Sequence, residues 1–220
     1  MTSVRPHFVP IPTQDAPGSG RLTLRDGMSA TIRAARPTDQ AAIANFFAAL
    51  SKQSRLRRFF SLAIPDEKII ESFCTGSDVR KQVTLVVVQL AGATETFLAV
   101  GSYVVRDAGA AEIGLAVSDA YQGRGIGTLL LERLALIAAV NGIRHFWAMT
   151  MFENRQMLDV FRESGFDCQT KTDQGVVEID LSLTPNAASV ANSELRDRVS
   201  TTASLRPFFQ PRSVAIVGAS

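Results

Sequence analysis

The chain has 220 residues, 46% hydrophobic and 20% charged, with a formal net charge of +2, an ordinary globular composition in which nucleic-acid binding is not the default. Two cysteines, Cys74 and Cys168, are too few for a disulfide scaffold. The most apolar stretch, Leu129 to Val140, is broken by Glu132 and Arg133 and is too short to span a bilayer, and the amino terminus lacks the apolar core of a secretory signal, so a cytoplasmic protein without a membrane partner is expected.

Residues 1–20 hold four prolines, two glycines and no hydrophobic period, which predicts a loose leader. Arg21–Leu24 and Ala30–Arg33 flank Asp26-Gly27 and read as a hairpin. Thr38 or Asp39 is placed to cap a helix running to about Leu50, with Ile43, Phe46, Phe47 and Leu50 on one face. A short helix over Ser54–Phe60 and another after Pro65, opened by Asp66 and Glu67, complete this half. Val83–Val88 is β-branched and continuous, hence a strand buried on both faces. Strands at Phe97–Val105 and Glu112–Val117 follow, then a glycine loop, a helix from Ile126 to Val140 and a strand at His145–Met149. A helix over Asn154–Ser164 and strands at Phe166–Lys171 and Val176–Leu183 close the pattern. The expected class is α/β of the α+β kind, a mixed and mostly antiparallel sheet flanked by helices, over residues 21–183.

Residues 184–206 are small and polar and read as a linker, with a helical turn expected over Glu194–Val199. Ser213-Val214-Ala215-Ile216-Val217-Gly218 reads as a strand entering a glycine turn. A lone strand cannot bury itself, so the chain is expected to be a piece of a longer protein, with residues 207–220 opening a further domain.

The chemistry concentrates in Gln122-Gly123-Arg124-Gly125-Ile126-Gly127-Thr128, between a strand and a helix. Glycines let a backbone approach an anion closely, and amides at a helix start point at its oxygens. A tight strand-to-helix turn is the competing reading. The spacing is not the dinucleotide pattern, and the absence of Gly-Lys-Ser/Thr excludes an ATP phosphate loop.

Taken with its flanks, Val117 through Gly127 resembles the acetyl-CoA loop of the GNAT superfamily of N-acetyltransferases, whose signature is a strand, Q/R-x-x-G-x-G/A and a helix. Glu153 through Met157 and Phe161-Arg162-Glu163-Ser164-Gly165-Phe166 are similar to the family's second cofactor segment. Phe46-Phe47-Ala48-Ala49-Leu50-Ser51 and Arg58-Phe59-Phe60 resemble a phrase of Pat-type bacterial protein lysine acetyltransferases, in which the GNAT domain is fused to an NDP-forming acyl-CoA synthetase-like region. Phe208 through Ser220 is similar to the opening of that region's CoA-binding domain.

The resemblance implies a GNAT fold, acetyl-CoA as co-substrate and a lysine of a protein as acceptor, typically in a metabolic enzyme such as an acyl-CoA synthetase. Acetylation requires a neutral amine, while free lysine has a pKa near ~10.4, so a general base helps. Glu112 is the candidate: it shares a strand face with Gly114 and Ala116, whose small side chains leave room for the pantetheine arm and the amine. A solvated strand-end glutamate is the plain alternative.

The backbone of Leu115, Ala116 and Val117 would pair with pantetheine, and the amides of Gln122, Gly123, Arg124, Gly125, Ile126, Gly127 and Thr128 would hold the diphosphate. Arg124 adds charge or is simply a solvated loop arginine. Asn154 matches a family asparagine that contacts the pantetheine arm, and is also placed as a helix cap. The family's frequent tyrosine acid aligns with Phe161, which has no proton to give, and Tyr121 is only a speculative substitute. Lys52, Arg55, Arg57 and Arg58 form a basic cluster that either greets an acidic protein surface or is a solvated helix face. His145 and Trp147 read as packing, and neither cysteine has metal-ligand spacing, so no metal is expected. Two rival functions remain: a small-molecule amine acetyltransferase on the same fold, and a non-catalytic CoA-sensing module, which Phe161 favours.

Overall fold

In the computed structural model, β1 (Gly20–Thr23) and β2 (Ser29–Ala34) form the expected hairpin, and Asp26 Oδ1 accepts the Met28 N–H at 3.0 Å in its turn. The structure describes residues 19–24, 26, 28–75, 78–91, 94–107, 109–184, 186–192 and 195. The leader, the strand expected after residue 207 and nearly all of the helical turn expected over Glu194–Val199 lie outside the described residues.

Six further strands, β3 (Gln82–Ala91), β4 (Thr94–Asp107), β5 (Ala110–Val117), β6 (His145–Met151), β7 (Asp167–Asp173) and β8 (Val176–Ser182), complete one sheet. Its order is β1-β2-β3-β4-β5-β6-β8-β7, and every neighbouring pair is antiparallel except β5 and β6. All six residues of Val83–Val88 are buried, as their β-branched run predicts. Leu85 and Val87 join the core beneath α4 (Ile126–Val140) and α5 (Arg155–Glu163), while Val86 and Val88 face α1 (Gln40–Ala49) and α3 (Glu67–Thr75). Between those two helices in the chain, α2 (Lys52–Phe59) packs against β5 and β6. One of the two edge strands, β7, exposes nearly every residue and carries Asp167, Lys171 and Asp173.

Asp39 does not cap α1 as expected. A 3₁₀ turn over Pro37–Asp39 precedes the helix, and the Asp39 carboxylate turns back to accept the Arg36 N–H at 2.7 Å and Arg33 Nη1 at 2.7 Å. Arg33, itself buried, also reaches Glu95 at 2.5 Å. A desolvated guanidinium needs countercharge more than a helix start open to water needs a cap, and that decides the geometry. Burial pushes the Asp39 carboxyl up, but the hydrogen bonds from Arg33 and Arg36 and their charges outweigh it and hold the group below the usual carboxylate range.

Residues 187–192, the first part of the stretch read as linker, form a helical turn against the end of α5. Asn186 Oδ1 accepts the Ser189 N–H at 2.8 Å, and Asn192 Nδ2 donates to the Glu163 carbonyl at 3.1 Å.

Candidate active site

The site begins where two strands part. β5 keeps its pairing with β4 as far as Val117, but its parallel pairing with β6 covers only Ala110–Glu112 against His145–Trp147. Beyond Glu112 the free edge of β5 presents main-chain N–H and C=O groups to the gap, the arrangement an extended ligand can pair with as an added strand. A cleft of about 480 Å³ opens there. Eleven of the twelve residues singled out from the sequence line it; Arg124 does not.

The loop after β5 is shaped by its glycines. Gly123 and Gly125 have φ of 75° and 83°, in the left-handed region that favours glycine, and Gly125 stands at the N-cap of α4. The N–H groups of Ile126, Gly127 and Thr128 belong to the first turn, where a helix supplies no carbonyl for them. Leu129 is the first to bond back, to the Gly125 carbonyl at 3.1 Å. Three directed donors and the positive end of a 15-residue helix therefore face the cleft, a fit for a diphosphate.

Arg124 is half-exposed and bonded away from the cleft. Its guanidinium pairs with Asp26 at 2.9 Å, donates to the Ala120 carbonyl at 3.2 Å and lies over the Tyr121 ring, so it fastens the β1–β2 turn to the loop from outside.

Asn154 is buried and caps α5: Oδ1 accepts the Met157 N–H at 3.4 Å while Nδ2 donates to Thr150 Oγ1 at 2.9 Å. Phe161 is packed in the core, and the Tyr121 hydroxyl is directed at Gln89 Oε1, 3.4 Å away. His145 is exposed and paired with Asp180 at 2.9 Å, not packed as expected, because it stands at the start of β6 where the strand meets solvent.

The other wall comes from α2, and here the sequence reading needs the most correction. The basic cluster is only partly a solvated face: Lys52 is exposed, while the three arginines are half-buried and bonded within the protein. Arg55 donates to the carbonyls of Ala48, Leu50 and Leu62, closing the end of α1 and the chain after α2. Arg57 reaches Gln156 Oε1 at 3.4 Å across the cleft mouth.

Arg58 turns inward and lies flat on Gly114; a Cβ at that position would stand 2.6 Å from both Nη atoms. Its guanidinium therefore occupies the room that Gly114 was expected to leave for the pantetheine arm and the amine. It stacks on Phe59 and Phe73, with ring centroids at 5.0 and 5.8 Å. Although the residue as a whole is partly exposed, Nε is sealed from solvent with no hydrogen-bond partner, and Nη2 has only Ser102 Oγ at 3.4 Å. Desolvation lowers the Arg58 pKa to about 10, and the negative charge of Glu112 opposes the shift.

Glu112 lines the cleft with its carboxylate hydrogen-bonded by Arg106.

Ser51, Ser54 and Asp119, which the sequence reading passed over, join the two walls. Asp119 accepts the Ser51 N–H at 2.8 Å, the Ser51 hydroxyl at 2.9 Å and the Ser54 hydroxyl at 2.6 Å. Burial pushes its carboxyl up, but these bonds prevail and hold it below the usual range. Gln122 Nε2 adds a 3.1 Å bond to the Val117 carbonyl and a 3.3 Å bond to Ser54 Oγ. The only local signal was Ser51 before α2, a good N-cap, whose hydroxyl accepts the Ser54 N–H at 3.1 Å. The partner 68 residues away had no signal.

A parted parallel strand pair, a glycine loop and a helix start aimed into the gap together define an acyl-CoA transferase scaffold, and the family comparison agrees. Residues 53–166 match the Acetyltransferase (GNAT) family, and the chain belongs to that family. Within it, the chain is 28% identical over 194 residues to Acetyltransferase Pat of Mycolicibacterium smegmatis, covering 87% of this chain but 54% of the relative, so the chain spans about half of that protein's length. Among solved structures, the GNAT domain of S. lividans PAT is similar at 29% identity with a TM-score of 0.67, over 74% of this chain and 96% of that one. A GNAT phosphinothricin acetyltransferase from Sinorhizobium meliloti in complex with AcCoA shares the fold, with a TM-score of 0.57 at 18% identity over 73% of this chain and 92% of that one.

Among the described residues no helix is long and apolar enough to cross a membrane, and no group of His, Cys, Asp or Glu could hold a metal ion.

Proposed function

We propose that this chain transfers an acetyl group from acetyl-CoA to the ε-amine of a lysine in a protein, with Glu112 as general base. The observation that carries the reading is the union in one cleft of the β5 edge, the glycine loop and the one carboxylate on the Gly114 and Ala116 strand face. The first turn of α4 would hold the diphosphate, the edge from Leu115 to Val117 would pair with the pantetheine amides, and Asn154 would border that arm. The donor supplies the acetyl group as a thioester.

Glu112 takes the proton of the incoming amine, the nitrogen forms its bond to the acetyl carbon, and the carbon–sulfur bond breaks. No protein acid is needed for departure, since a thiol with pKa near ~8.5 leaves tolerably as thiolate at neutral pH. A protein acceptor, as against a free amine, is favoured by the resemblance to Pat and by the exposed Phe60 on the cleft lining, followed in the chain by the exposed Leu62 and Ile64.

Mass spectrometry of candidate acyl-CoA synthetases after incubation with this protein and acetyl-CoA tests the reading. The expected result is an acetyl mass increment on one lysine, absent without enzyme. Acetylation of polyamines or amino acids but of no protein would replace it with the small-molecule reading, and tight acetyl-CoA binding with no transfer to any acceptor would replace it with the sensor.

A further inference from the structure

We infer that Arg58 forms a carboxylate-binding subsite between Glu112 and the free edge of β5, so that one of the two reacting molecules carries a carboxylate beside its reacting atom. The inference rests on the reading of the cleft as an acyl-transfer site and adds the chemical class of what enters it.

A guanidinium has five N–H donors and cannot discard its charge at working pH. Removed from water, it is ordinarily met by a carboxylate or by several carbonyls. Arg33 shows the ordinary arrangement within the same molecule, with Asp39 and Glu95 on either side. Arg58 has one long bond to Ser102 Oγ, a sealed and unpartnered Nε, and no ion pair among the described residues; Glu112, whose charge acts on it, is hydrogen-bonded by Arg106.

The rings of Phe59 and Phe73 hold the plane of the group, and Gly114 admits it. The result is an oriented, under-coordinated cation in the cleft wall. If the side chain served only to fill space, an apolar residue of similar volume would do so without the desolvation cost.

Gly114 lies two residues from Glu112 and two from Ala116 on one strand face, so Arg58 stands roughly 6.6 Å along the strand from each. A carboxylate there can come from the acyl chain, as the far end of a short dicarboxylic acyl group, or from the acceptor, as an acidic side chain or α-carboxylate next to the amine. In either case it is a spectator: the amide bond forms, the thioester bond breaks, and the carboxylate leaves unchanged on the product.

The test compares kcat/KM in two arms. One sets succinyl-CoA against acetyl-CoA with a neutral lysine peptide; the other sets an acidic-flanked lysine peptide and free lysine against neutral peptide and lysine amide, with acetyl-CoA. Wild-type protein is expected to prefer the carboxylate-bearing partner on the order of tenfold to hundredfold in one arm, which identifies the source. Arg58→Gln abolishes that preference, and Arg58→Lys, which keeps charge without the planar fork, retains part of it. Melting temperature and acetyl-CoA calorimetry establish that each variant is folded, and the lysine variant decides alone if the glutamine variant is not.

No preference in either arm, or equal losses for charged and neutral partners in the variants, overturns the subsite and leaves Arg58 a packing residue. Should no arm turn over, the transfer reading falls. Calorimetry of succinyl-CoA against acetyl-CoA, and of acidic against neutral peptide in the presence of CoA, then decides the subsite by the same criterion.

Discussion

The two walls of the cleft are built in different ways. The wall proposed for the donor is mostly main chain: a strand edge and the first turn of α4, positioned by glycines with φ of 75° and 83°. The wall proposed for the acceptor is side chain: Glu112 from β5 with Arg58 and Phe59 from the end of α2, backed by the buried Ser102 of β4 and Phe73 of α3. A backbone wall binds a constant part of a substrate and tolerates change in side chains. A side-chain wall sets what is selected, and single substitutions can retune it.

The contrast breaks first at Glu112. Glu112→Gln is expected to lower kcat about 10²- to 10⁴-fold while leaving acetyl-CoA affinity unchanged, read by initial rates and calorimetry. Activity within a few-fold of wild type would remove Glu112 from the mechanism. Next in size is a control outside the cleft. Arg33→Leu strands Asp39 and Glu95 without their partner and is expected to cost about 3 kcal/mol in urea unfolding, roughly a hundredfold in the folding equilibrium, with no change in KM.

At the donor wall, Gly125→Val forces a β-branched residue into left-handed backbone; a loss of acetyl-CoA affinity on the order of tenfold or more, with kcat less affected, would confirm a backbone grip. Asp119→Ala, which cuts α2 from the loop, is expected to raise KM for donor and acceptor together by several-fold. A change confined to one of them would mean the walls are independent. The smallest effect is the pH response of the Arg33 brace. The Asp39 carboxyl titrates lower folded than unfolded, so its stabilisation is full above the unfolded pKa near ~3.9 and is lost as pH falls through the folded value. Melting temperature below about pH 4 should fall less steeply in Asp39→Asn.

What could be read from the sequence follows the same division. The hairpin, the doubly buried Val83–Val88 strand, the bounds of α4 and the glycine loop are written in short stretches, where period, turn residues and spacing act locally. The shape of that loop and helix start was therefore legible in the sequence. The sequence marks Arg58 as one of four charges on a helix and as part of a family phrase but not as an inward-turned cation, because its burial depends on Gly114, 56 positions later, and on rings from two helices. The bonds of Asp119 and Arg124 carried no local signal for the same reason: each is claimed by a partner distant in sequence, Ser51 and Ser54 for one and Asp26 for the other. Charged side chains choose partners in three dimensions, and a hydrophobic period carries no record of that choice.

The edge strand β7 has a consequence for how the molecule behaves in a crowd. An open ladder edge invites other chains to dock on it and propagate, and β7 answers with acids at both ends and a lysine near its middle. Replacing Asp167, Lys171 and Asp173 with valine would turn that border into a seed for fibrils, while leaving the chemistry several strands away untouched.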